Sequence, residues 1–369
     1  MSGALASLAG GVFAEAADND DDNAELVALV EGIGSRSFSA RVGHRSLPEE
    51  FDRELWRNLE DTGLSRLTST ADLGAGPAEL AIVLRGLARY AGAVPVAETD
   101  LLAAWLGARA GLELPAQGPL TVAIAQAEKA GGRIVGTAHD VPWTRVASAN
   151  GGLLLAARTA DGLDVGVLDD PNVTDRQNLA GEPRDSVAFD LPAAALQTLD
   201  TSVGDELIRR GAWARCVQII GALDTAAALS VAHAGERVQF GRTLSKFQSV
   251  QHSLATMAGE IERARAAATL AVAAAADHGF AGPAADYAVT VAKVVVGQTV
   301  SAVTRIAHQL HGAIGVTIEH QLWLSTMRAR SWTDEFGSTG HYARRLGRIA
   351  LNADDPWDVL IGNDLRGWG

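Results

Sequence analysis

The sequence predicts a mainly α-helical protein with a small β-domain in its middle. Two observations carry this expectation. Apolar residues recur at helical spacing up to about residue 117 and again beyond residue 200. Between these stretches, from Pro119, the texture changes to short β-like runs punctuated by glycine. The expected order is an N-terminal helical domain over 1–117, a middle β-domain over 118–200 and a C-terminal helical-bundle domain over 201–369.

The acidic run from Asp18 to Asp22 suits the positive end of a helix whose stripe is Leu26, Leu29, Val30 and Ile33. Pro48 with Glu49 and Glu50 opens a second helix, with Phe51, Leu55 and Leu59 on one face and Gly63 as its stop. Leu80, Val83, Leu84 and Leu87 mark a third. Pro95 and the polar pair Glu98-Thr99 then break the chain before Leu101, Leu102, Trp105 and Leu106.

The β-like runs are Leu120 to Ala123, Arg133 to Val135, Leu153 to Ala156, Val165 to Leu168 and Ser186 to Phe189. Each is too short for a helix with a buried face, and the turns carry Gly131-Gly132, Asn150-Gly151-Gly152 and Asp161-Gly162. An antiparallel arrangement is the economical expectation.

After Asp200 the helical block runs to about Ala350. Cys216, Ile219, Ile220, Leu223 and Ala227 line one helix; Val250, Leu254, Met257, Ile261 and Ala264 line the next. Pro283 opens a third, reaching about Gln309 and interrupted at Gly297. A final helix starts near Glu319 and leads to Met327–Ser338, after which Arg344, Arg345 and Arg348 read as a solvated face.

At 369 residues, 47% apolar and 20% charged, the chain can bury an ample core. A net charge of −13 and pI near 5.1 argue against nucleic acid and anionic membrane surfaces as partners, so a polyanionic ligand would need a local positive patch. The single cysteine, Cys216, leaves no internal disulfide and reads as a buried, inert thiol. Met1 to Ala17 lacks a basic start and is not read as an export signal. No window has eighteen uninterrupted apolar residues, and a cytoplasmic location is expected.

Residues 234–251 form the corner between the first two long C-terminal helices. Gly241 lets the backbone turn, Phe240 and Phe247 supply apolar anchors, and Arg237 offers a forked cation. From the corner alone Arg237 either pairs with a surface carboxylate or grips a phosphate. His308 and His311 share a helix face near His320, but without a His-Glu-x-x-His arrangement they read as packing or interface residues, and no metal site is expected. Gly74-Ala75-Gly76-Pro77 follows no strand and is not a nucleotide loop.

Arg237-Val238-Gln239-Phe240-Gly241 followed by Phe247-Gln248 and Gln251 resembles the Arg-x-x-Phe-Gly…Phe-Gln-x-x-Gln signature of the acyl-CoA dehydrogenase flavoprotein family. A second family-like block is Gln309-Leu310-His311-Gly312-Ala313-Ile314-Gly315, with Ala313 where the family usually has glycine. The resemblance implies the family's helical, β-barrel-like and four-helix-bundle order over essentially the whole chain. It implies that Arg237, Gln239, Phe240, Gln248, Gln309 and Gly312 reach the pyrophosphate and adenosine half of an FAD bound mainly by a neighbouring subunit. It also exposes a departure. The family's Thr-Glu-Pro-Gly-x-Gly-Ser-Asp-like flavin loop corresponds here to Ala123-Ile124-Ala125-Gln126-Ala127-Glu128-Lys129-Ala130. The Trp-Ile-Thr landmark survives at most as Trp143-Thr144, and Trp143 reads equally well as a packing aromatic.

The family reaction removes an α-proton from an acyl thioester while the β-hydrogen leaves as hydride to the flavin, so a positioned carboxylate is needed. Both customary positions for that base are empty: one holds Phe336, with Glu335 a step away, and the other holds Gly211. The features kept would serve a neighbour's FAD and those lost would serve the chain's own site. The resemblance therefore implies the helper subunit of a heteromeric, α2β2 acyl-CoA dehydrogenase of the kind that shortens steroid side chains in actinobacteria, with a catalytic partner subunit and an acyl-CoA substrate. Two alternatives stand beside it: a self-sufficient homotetramer using Glu335 or another carboxylate, and a flavin-free structural subunit.

Overall fold

A computed structural model of the chain describes residues 20–42, 47–317 and 320–368. Asp18, the segment before it and Glu319 lie outside the described residues. The chain forms two compact units. One joins the described parts of Met1–Gly43, Ala81–Ala91 and Ala212–Gly369, and the other those of His44–Leu80 and Gly92–Gly211.

The described helices are α1 (Asp20–Arg41), α2 (Arg53–Asp61), α3 (Pro77–Arg89), α4 (Trp105–Ala110), α5 (Thr144–Ser148), α6 (Thr201–Glu236), α7 (Gln248–His278), α8 (Pro283–His311), α9 (Gln321–Asp334), α10 (Thr339–Leu351) and α11 (Pro356–Leu360). In α1 the predicted stripe is half right: Val30 and Ile33 are buried while Leu29 is exposed. In α2, Asp52 rather than the Pro48 region sets the start, because its carboxylate accepts from the Leu55 amide at 2.9 Å. Leu55 and Leu59 are buried as expected.

Glu98 and Thr99 do not break the chain. Residues Ala97–Ala104 wind as a π-helix running directly into α4, and Glu98, Thr99 and Asp100 are all buried. Their polarity is used internally: Asp100 accepts from the amides of Thr68 and Ser69, and the Thr99 hydroxyl exchanges hydrogen bonds with the backbone of Leu120. A buried polar group costs free energy unless it is paired, and these are.

The same unit holds a seven-stranded sheet: β1 (Thr121–Ala130), β2 (Arg133–Pro142), β3 (Leu153–Arg158), β4 (Leu163–Val167), β5 (Asn172–Thr174), β6 (Arg184–Pro192) and β7 (Gln197–Leu199), in the order β5-β6-β2-β1-β3-β4-β7. The sheet is mixed rather than antiparallel throughout. β1 and β3 run parallel, from Thr121 opposite Leu153 to Gln126 opposite Arg158, because the chain crosses over through α5 before β3. Ile134, Val141, Leu155, Val187 and Phe189 fill the core on the sheet.

In the helical unit α7 and α8 pack as a hairpin of long helices joined at Gly279–Gly282. Gly297 does not interrupt α8. It sits inside a continuous helix where a Cβ would come within 1.9 Å of the Thr339 hydroxyl, so it permits close approach of α10. Arg345 is not solvated either: it pairs with Asp286 and lies over the Trp368 ring at 5.1 Å. α6 and residues Pro283–Val316 are long and apolar enough to cross a bilayer on length and composition, with 50% and 67% of their most apolar windows buried inside the protein itself. Burial in a helical core produces the same composition.

Candidate functional site

α6 ends at Glu236, and the chain enters a two-residue hairpin. β8 (Val238–Gln239) pairs with β9 (Arg242–Thr243), placing Val238 opposite Thr243 and Gln239 opposite Arg242. The turn residues Phe240 and Gly241 have φ of 51° and 77°, the signature of a type I′ turn. Glycine adopts this freely; phenylalanine does so at a cost. The Leu244 amide donates to the Arg237 carbonyl at 2.9 Å and closes the base of the hairpin. Gln248 then begins α7.

Phe240 is 91% exposed and is not an anchor within this chain. A hairpin projecting from a helix end has no core to place its tip in, and the ring contact it makes among the described residues is with the edge of Phe247, 6.2 Å away. Phe247 is the anchoring member, half-buried, with the Arg242 guanidinium 4.1 Å over its face. Arg237 is exposed, and its guanidinium makes no hydrogen bond or ion pair among the described residues. The surface-carboxylate alternative is therefore not met.

The second sequence block reaches the same place. Gln309 and Gly312 are exposed, and Gly312 takes φ of 65° where α8 ends. His311 between them stacks on His233, one helical turn before Arg237, with ring centroids 4.4 Å apart and planes 26° apart. His320 meets the other ring contact of His311 at 5.1 Å and caps α9 by accepting from the Leu322 amide. The hairpin base and the α8 terminus are thus joined through three imidazoles. Burial, and then the neighbouring cationic and imidazole groups, push the His233 and His320 titrations below the ordinary histidine value. Among the described residues no group of three or more His, Cys, Asp or Glu could hold a metal ion. His233 is not part of the sequence signature, although it stands four residues before Arg237, whose amide donates to the His233 carbonyl at 2.9 Å.

Glu335 is committed elsewhere. It follows the last residue of α9, and its carboxylate pairs with Arg215 at 2.6 Å, a guanidinium only 2% exposed. The buried ammonium of Lys293 donates to the carbonyls of Thr333 and Glu335 at 2.8 and 2.9 Å. The segment carrying Phe336 is therefore tied down from two sides, and its carboxylate already faces a cation. Nearby Cys216 is fully buried, and its thiol is pushed up to about 12.

In the β-containing unit, the stretch Ala123–Ala130 is strand throughout, not a loop. A cavity of about 240 Å³ lies against it, lined mainly by aliphatic side chains with Gln126 and Arg158, and Arg158 is held by Asp205 at 2.7 Å. No carboxylate lines this cavity. Trp143 is buried with its ring edge-on to Phe51 at 6.0 Å, a packing role.

The long helices and the mixed sheet are those of the acyl-CoA dehydrogenase fold. A chain of the ChsE4–ChsE5 complex from Mycobacterium tuberculosis superposes with a TM-score of 0.79 at 24% identity, covering 91% of this chain and 99% of that one. A variant of the Tcur3481–Tcur3483 steroid ACAD gives 0.74 at 24% identity, covering 89% and 98%. Residues 203–349 match the family described as acyl-CoA dehydrogenase, C-terminal domain. Acyl-CoA dehydrogenase IpdE2 of Mycolicibacterium smegmatis is 27% identical over 303 residues, 80% of this chain and 88% of that protein.

Proposed function

We propose that this chain is the helper subunit of a heteromeric FAD-dependent acyl-CoA dehydrogenase, lending Arg237, Gln239, Phe240, Gln248, Gln309 and Gly312 to the pyrophosphate and adenosine half of an FAD whose ring sits on a catalytic partner subunit. The observation that carries this is the projecting hairpin, with Phe240 91% exposed and Arg237 unpaired beside it. Such a tip leaves most of its ring surface uncovered by its own chain, so its residues are available to a second molecule. The residues fit a diphosphate: a free guanidinium, a positive-φ glycine with open space where a Cβ would stand, and a buried imidazole nitrogen on His311 without a partner. Bound FAD would supply the hydride acceptor for α,β-desaturation of an acyl-CoA. This chain's residues would hold and orient the dinucleotide tail and leave proton abstraction to the partner, since Glu335 is ion-paired and the β1 cavity has no carboxylate.

The reading includes an α2β2 assembly, a cytoplasmic location, a steroid-type acyl group and domain limits at 1–117, 118–200 and 201–369. Similarity to chains of the ChsE4–ChsE5 complex and of a steroid ACAD supports the first and third of these. Co-expression with candidate partner chains tests it: FAD should be retained per heterodimer, and Arg237→Ala should reduce retention by roughly ten- to hundredfold, the worth of a charge-assisted hydrogen bond. A chain that purifies alone as a yellow protein with stoichiometric FAD and dye-reducing activity would overturn it.

A further inference from the structure

We infer that His233 and His311, with His320 packed against them, form an anion-binding subsite of the dinucleotide tail that takes up a proton as the diphosphate arrives. The inference rests on the clamp reading above and adds residues that the sequence signature does not contain.

The tautomer of His311 is set by its surroundings. Its Nδ1 lies 2.8 Å from the Ala307 carbonyl, which can only accept, so Nδ1 carries the hydrogen. The neutral ring then presents Nε2 as a bare acceptor, and this atom is buried and has no hydrogen-bond partner, in a side chain 6% exposed. A buried acceptor without a donor is costly. A proton on Nε2 turns it into a charged donor, which a phosphate oxygen can receive. A Cβ at Gly315 would come within 2.7 Å of the His311 Cβ, so the chain runs close beside this side chain, and the stacked His233 ring covers one face of the imidazole.

His233 is the titrating member. It faces Glu236 and Arg237 on its own helix, His311 from α8 and His320 from the approach to α9. Apart from Glu236 these are cations or bases, and with burial they hold His233 neutral more strongly than in water. His320 contributes differently, because its Nδ1 already accepts from the Leu322 amide and a proton there would remove the helix cap. His308 is turned to Thr326 and Arg330, and it serves the helix packing. A diphosphate placed beside Arg237 reverses the local sign of the field and favours the charged form of His233.

The test titrates FAD into the full-length protein, in the assembly in which it purifies, at about pH 6 and about pH 8, either side of the ordinary histidine value. Affinity should be roughly tenfold higher at the lower pH, equal to one group shifted by about one unit. The binding enthalpy should also depend on the buffer, reporting proton uptake. His311→Gln and His233→Gln should each flatten the pH dependence; His233 is the less buried position and carries the test if the other variant does not fold. Affinity that is equal at both pH values, or a pH dependence untouched by His233→Gln, with Arg237→Ala still weakening binding, overturns the histidine subsite and leaves the clamp. FAD binding indifferent to Arg237→Ala overturns both.

Discussion

Arg215 lies within α6 and Arg237 directly follows its last residue, about six turns further on, and the two have opposite circumstances. Arg215 is 2% exposed, bound to Glu335 and Gln218, and holds the end of α9. Arg237 is exposed, and its guanidinium binds nothing among the described residues. The contrast separates a structural cation from an available one. A guanidinium inside the helical unit must be paired to be tolerated there, whereas one at a projecting hairpin can wait for a ligand because water solvates it meanwhile. It also explains why Glu335 is a poor candidate for proton abstraction: its carboxylate is one half of a buried ion pair.

The largest expected effect tests the structural half. Arg215→Ala should destabilise the protein by about 3–5 kcal/mol in a denaturant titration, since it strands the Glu335 carboxylate in a mostly buried site. Arg237→Ala should shift the same titration by no more than about 0.5 kcal/mol. Equal effects from the two substitutions would erase the distinction. Next comes the hairpin tip. Phe240→Gly should stabilise the isolated chain by about 1 kcal/mol by relieving a positive φ in a bulky residue, and should weaken assembly with a partner. A loss of stability without any change in assembly would instead make the ring a local packing element.

The smallest effect concerns pH. His233, His308 and His320 all titrate below the ordinary value because of burial first and neighbouring positive groups second. The unfolded chain therefore binds protons more readily than the folded one as pH falls below about 6.5. Stability is fully present above that value and declines through it towards the lowered folded values. The urea midpoint should drop between about pH 7.5 and about pH 5.5, and His308→Gln should reduce the drop. A drop of unchanged size in that variant would assign the acid sensitivity to other groups.

The helix-forming stretches were legible because apolar spacing alone carries them: Leu80, Val83, Leu84 and Leu87 are buried in α3 as their period requires. Strands β5 and β7, three residues each, were not legible, because three residues hold no period. The π-helix at Ala97–Ala104 was misread for a related reason. Glu98, Thr99 and Asp100 look like a polar break until the loop amides of Thr68 and Ser69 and the backbone of Leu120 are placed around them.

The same division runs through the site. The order of Arg237, Phe240, Gly241 and Gln248 determined a turn with a cation beside it, because local chain geometry needs only neighbours in sequence. Whether that cation was already paired, which of the two phenylalanines was the anchor, and that His233 meets His311 across 77 intervening positions depended on how α6, α7 and α8 pack. Those are contacts between distant residues, and no local pattern encodes them.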